Sequence, residues 1–117
     1  MRKPSQWQLY LLGWLADPKT VLHYTKPERG HNWRYSGWQT VNGNCREVED
    51  WDGRTCRSFL ARGWLDEAPN TYGWVETGKL YKLNAAGRAA AERYLDLEEW
   101  VDEDEWERAK SDQEVTR

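Results

Sequence analysis

Residues 52–67 read DGRTCRSFLARGWLDE, and residues 78–94 read GKLYKLNAAGRAAAERY. In the first stretch Asp52 is a helix N-cap residue, and Cys56, Phe59, Leu60 and Gly63 recur at i, i+3, i+4 and i+7, which places them on one helical face. Arg54, Arg57, Ser58 and Ala61 fall on the opposite face, flanked by Thr55 and Arg62, so the segment separates an apolar side from a basic one. Gly63 suits a left-handed helix end. The spacing therefore predicts a short amphipathic helix over residues 52–63.

Trp64-Leu65 then opens an extended segment that breaks at Ala68-Pro69-Asn70, passes Tyr72-Gly73-Trp74 and resumes as Lys79-Leu80-Tyr81-Lys82-Leu83. This pattern predicts a two-stranded hairpin with a long tip. Asn84 caps a further helix whose Ala90, Tyr94, Leu97 and Val101 share a face, while Gly87 permits close approach of another element. Residues 102–117 are highly charged, and fraying is expected there. Upstream, Ser5 and Gln8 form a capping box for a helix over residues 6–16, with Trp7, Leu11, Trp14 and Leu15 at helical spacing and Asp17-Pro18 as its stop. Leu9 and Leu12 widen the apolar stripe, which fits a central or self-associating helix. Residues 19–43 read as loop with some strand around Trp33 and Tyr35. Asn44 with Glu47 reads as a second capping box opening a short helix through Trp51; the alternative is a tight hairpin turn at residues 41–44.

In this order, the Leu60, Gly63, Trp64, Leu65 pattern and the Tyr81, Leu83, Asn84, Gly87 pattern resemble winged helix-turn-helix proteins, in particular bacterial regulators of the multiple-antibiotic-resistance and phenolic-acid types. The likeness covers residues 52–94, with Asn84 where Thr is commoner; residues 18–50 do not supply a standard second helix. It implies an α+β, mostly helical fold: a winged helix-turn-helix with a two-stranded wing and a C-terminal helix. The expected organisation is a domain over residues 1–95 and an acidic, partly helical tail over residues 96–117.

Residues 1–94 carry 14 Lys and Arg against 10 Asp and Glu, whereas residues 95–117 carry 3 against 10, so a mildly basic body precedes an acidic tail. Such asymmetry fits a polyanionic partner whose surface the tail competes for. Nine Trp and six Tyr in a polar chain supply large rings to the core and to binding surfaces alike. The chain has no long apolar run and begins without an apolar leader, so a cytoplasmic, membrane-free protein is expected. Cys45 and Cys56 are too few for a disulfide scaffold, and their spacing with His23 and His31 does not match a zinc site. No nucleophile motif or phosphate loop is present; Glu47, Glu49, Asp50 and Asp52 read as a hydrated turn in preference to a magnesium site. No cofactor or metal, and no enzymatic activity, is expected.

The resemblance implies a DNA-binding regulator or nucleic-acid accessory factor, with double-stranded DNA as partner and a homodimer as an option. Arg54, Thr55, Arg57, Ser58 and Arg62 would face a major groove, and Tyr72, Trp74 and Lys79 of the wing would meet the backbone or minor groove. The interleaved Lys26, Arg29, His31, Trp33, Arg34 and Tyr35 offer a second surface for phosphates and stacked bases. The alternative is an interaction protein of phage or mobile-element type, which binds a host protein through Trp100, Asp102, Glu103, Asp104, Glu105 and Trp106.

Overall fold

The structure, a computed structural model, describes residues 3–25, 33–42, 44–69 and 78–115. Helix α1 (Gln6–Ala16) leads into strands β1 (Thr20–Thr25), β2 (Arg34–Val41) and β3 (Asn44–Trp51). Helix α2 (Gly53–Ala61) follows, then β4 (Leu65–Ala68), β5 (Gly78–Leu83), α3 (Ala85–Tyr94), the single turn α4 (Leu97–Trp100) and α5 (Glu103–Val115). All strand pairs are antiparallel in one five-stranded sheet of order β3-β2-β1-β5-β4.

This architecture corrects the expectation of a mostly helical winged helix-turn-helix with a two-stranded wing. The hairpin β4–β5 does follow α2, but it is one edge of a five-stranded sheet. The predicted helix through Trp51 is strand β3. Asn42 takes a left-handed φ of 54° in the turn between β2 and β3, and pairing extends from Val41↔Asn44 to Tyr35↔Trp51. A capping box satisfies two backbone groups; the hairpin satisfies a ladder of them and buries Trp51, which outweighs the local preference. A register shift between Gly37 and Trp38 breaks the two-residue period, so the strand pattern was hard to see in the sequence.

The helices cover one face of the sheet. Leu22, Tyr24, Tyr35, Trp51, Leu65, Tyr81 and Leu83 point into the same core as Leu11, Leu12, Leu15, Phe59 and Ala91, whereas their strand neighbours Val21, Leu80, Trp38 and Ala68 form a smaller apolar cluster. That division follows from side-chain alternation along each strand. Trp51 lies across Gly37 of the neighbouring strand, so closely that a Cβ there would come within 2.4 Å of the indole.

Local signals place the helix starts. Ser5 and Gln8 form the reciprocal capping box of α1, at 3.2 Å and 2.8 Å. Asp52 caps α2, and Gly63, just beyond that helix, has φ +73°. Asn84 accepts from the Gly87 N–H at 2.9 Å and donates to the Gly63 carbonyl and to Asp66, tying α3 to the start of β4. The helix expected to run from its Asn84 cap through Val101 instead stops at Tyr94 and restarts twice, with Asp96 and Asp102 as the new caps. The chain beyond residue 102, expected to fray, is helix α5, and Trp106 anchors it in the core at 3% exposure. No helix among the described residues is long and apolar enough to cross a membrane.

Candidate functional site

Helix α2 carries the basic face singled out in the sequence, and the fold divides that face in two. Toward α1, Thr55 donates through its backbone N–H and hydroxyl to Asp52, each at 3.2 Å. Ser58 donates to the Thr55 carbonyl and accepts from the Gln8 amide at 2.8 Å. Arg62 donates to Gln8 Oε1 at 3.3 Å, and its guanidinium lies 4.8 Å from the centre of the Trp64 ring. Thr55 thus serves the cap of its own helix, whereas Ser58 and Arg62 fasten α2 to α1 through Gln8, and Arg62 also packs on Trp64 just ahead of β4. Arg54 and Arg57 remain exposed, without an ion pair among the described residues; Arg57 folds back over Gly53. Lys79 is exposed on β5 opposite Tyr24. Tyr72 and Trp74 lie outside the described residues.

Of the interleaved cationic and aromatic cluster, Lys26, Arg29 and His31 also lie outside the described residues. Arg34 is held by Asp50 at 3.1 Å and by Glu47 at 3.5 Å, Trp33 stacks on Tyr24 at 5.1 Å, and Tyr35 is buried. Two of the four carboxylates read as a hydrated turn therefore serve Arg34. Glu49, on the other face of β3, does not.

The acidic C-terminal segment packs on the protein's own body. The Trp106 ring accepts the Arg88 guanidinium at 5.2 Å, and its indole N–H donates to Glu92 at 3.3 Å. Trp100, 37% exposed, lies against Gly13 of α1. Asp102 caps α5 by accepting from the Asp104 and Glu105 N–H groups, and Glu105 meets Lys19 at 4.0 Å. Glu103 and Asp104 face solvent.

A different cleft, of about 200 Å³, opens where the first turns of α1 meet the end of β3 and the start of α2. Its walls include Trp7, Tyr10, Trp51, Glu49, Asp50 and Asp52. Trp7 is 73% exposed and Tyr10 39%, and their rings meet edge to face at 6.3 Å. Glu49 Oε1 accepts from the Tyr10 hydroxyl at 2.7 Å and from the Trp51 indole N–H at 2.9 Å. Both donors are neutral, as are the Thr55 groups on Asp52, so these hydrogen bonds orient the two carboxylates and leave their charges uncompensated. Sequence reading missed this cleft. It put Trp7 in the buried stripe and Glu49 and Trp51 in a helix, whereas the core takes Leu11, Leu12 and Leu15, and β3 carries Glu49 to the side of α1.

Among the described residues, no group of His, Cys, Asp and Glu side chains is arranged to hold a metal ion. Comparison with family models, curated proteins and solved structures returns no match to this chain.

Proposed function

We propose that this chain is a binding protein, without catalytic chemistry of its own, that docks a basic segment of a protein partner in the α1–β3–α2 cleft. The observation that carries the reading is the pairing of exposed rings with charged carboxylates: Trp7 and Tyr10 stand beside Glu49 and Asp52, neither of which has an ion pair among the described residues. Ring faces and carboxylates both favour a cation, and an arginine or lysine side chain satisfies the two at once. Large exposed aromatics outside the core are the residue types that anchor interfaces.

A second reading, nucleic-acid binding, is favoured by Arg54 and Arg57, which are exposed on α2 without a carboxylate partner among the described residues. Duplex DNA is its partner, and phosphate contacts would provide most of the affinity. Isothermal titration of the full chain with a synthetic arginine-rich peptide and with random-sequence duplex DNA separates the two. Salt-sensitive peptide binding that weakens about tenfold in the double variant Trp7→Ala, Glu49→Gln is expected. Peptide binding that is absent, or unchanged in that variant, overturns the first reading. DNA binding that is lost in Arg57→Glu, with the fold retained, installs the second.

A further inference from the structure

At the opposite end of α1, the chain forms a second cleft, of about 460 Å³, between the Pro18-Lys19 turn, the end of β5, α3 and α5. Lys19, Lys82, Arg88 and Arg108 line it against a single carboxylate, Glu105. In a protein whose formal net charge is −3, four cations around one cleft is a local reversal of sign.

Arg88 sets this cleft apart from an ordinary basic surface. Its side chain is 6% exposed, and its Nε and Nη1 have no hydrogen-bond partner among the described residues. No carboxylate of a described residue lies within ion-pair distance: Glu92, one turn along α3, is held by Lys110 at 2.7 Å, and Glu105 faces Lys19. The ring of Trp106 approaches the guanidinium from one side, which offsets only part of the cost of burying a charge. Around it, Lys82 donates to the Pro18 carbonyl at 3.3 Å and Arg108 to the Asp104 carbonyl at 3.4 Å, so neither cation is neutralised by its contact. Burial, and next the Arg88 charge, hold the Lys82 ammonium below the ordinary lysine range; burial lowers Arg88 as well. Gathered like charges with an unpartnered guanidinium make a site that an anion completes.

We infer that this cleft binds a phosphoryl group of a small molecule, with Arg88 at its base and Lys19, Lys82 and Arg108 around it. A single carboxylate ligand would balance one of the cations, whereas a phosphoryl dianion offers several acceptor oxygens to converging donors. The cleft is also of the size that takes small-molecule ligands. This site is separate from the proposed peptide cleft, which lies at the first turns of α1.

The test is calorimetric titration of the full chain with inorganic phosphate and with a nucleoside diphosphate, at constant ionic strength, in the wild type and in Arg108→Ala and Arg88→Met. The expected result is saturable binding in the wild type, weakened about tenfold or more in Arg108→Ala, whose exposed position spares the fold. Tighter binding of the diphosphate assigns the ligand to the nucleotide class; equal binding assigns it to phosphate itself. Absence of saturable binding with both probes, or equal affinity in the wild type and Arg108→Ala, overturns the inference. Arg88→Met adds an independent readout: a variant that folds, gains thermal stability and still binds phosphate as the wild type does would also overturn it. Arginine-rich peptide binding in the same preparation reports on the other cleft alone, so failure of one reading is distinguishable from failure of the other.

Discussion

Cys45 and Cys56 are chemically the same residue placed in two environments. Cys56 sits on the core side of α2 with no exposed surface, and burial pushes its thiol up to about 12, a value the nearby Asp52 also favours. Thiolate is the reactive form, so Cys56 is inert on two counts, access and ionisation. Cys45, on edge strand β3, is partly accessible and contacts the Thr40 hydroxyl at 3.1 Å. A thiol reagent should modify one cysteine in the native protein and two after denaturation, with the native adduct on Cys45; modification of Cys56 under native conditions would contradict the placement of α2. The helical spacing already assigned Cys56 to the core face. The same residue-level reading failed for Trp7, because an apolar ring at helical spacing carries no information on where a helix overhangs the sheet.

The C-terminal helix shows what elements do that their residues do not announce. Its charge predicts a solvated extension, yet Trp106 inserts among Arg88, Glu92 and the core, and Lys110 clamps Glu92. Replacing a buried Trp with Ala generally costs about 3–5 kcal/mol. Trp106→Ala should therefore lower the unfolding midpoint markedly in a denaturant titration. A chain ending at Leu95 should be less stable still, because it also loses Trp100 from the surface of α1. If such a truncation unfolds with the midpoint of the full chain, α5 does not belong to the core. Binding experiments that use this truncation would consequently confuse loss of a partner surface with loss of the fold.

At the scale of the molecule, one face of the sheet is roofed by helices, while the other carries a buried histidine and a partly buried tryptophan. His23 is 2% exposed and stacked on Trp38 with ring centres 5.0 Å apart, and burial lowers its imidazole to about 4 from 6.5. The unfolded chain thus takes up a proton that the folded chain resists. The contribution to stability is intact above about pH 6.5 and is lost as pH falls toward 4, by about 3 kcal/mol in all. Glu92, held below the ordinary carboxylate range chiefly by its hydrogen bond from Lys110, adds an acid-side loss at lower pH. Thermal unfolding should show a midpoint that drops between pH 7 and pH 5, with a flatter profile in His23→Phe; an unchanged slope in that variant would remove His23 as the cause.

By itself the sequence determined the local events: where α1, α2 and α3 begin, that α2 separates Cys56 and Phe59 from Arg54 and Arg57, and that β4 and β5 form a hairpin. The helix events rest on contacts within a few residues, the caps at Ser5, Asp52 and Asn84 and the helical repeat, and the hairpin on two strand patterns that follow one another in the chain. Tertiary structure alone decided the rest. Of the two local readings, the hairpin turn at residues 41–44 prevails over the capping box because the adjacent strand β2 supplies β3 with a ladder of partners and the core takes Trp51, and α5 orders because α3 offers Trp106 a place in the core. The two clefts follow the same rule. Glu49 meets Tyr10 across 39 positions, and the residues that gather around Arg88 come from the Pro18-Lys19 turn, β5 and α5. Burial and charge compensation are properties of such distant pairs, and no local pattern encodes them.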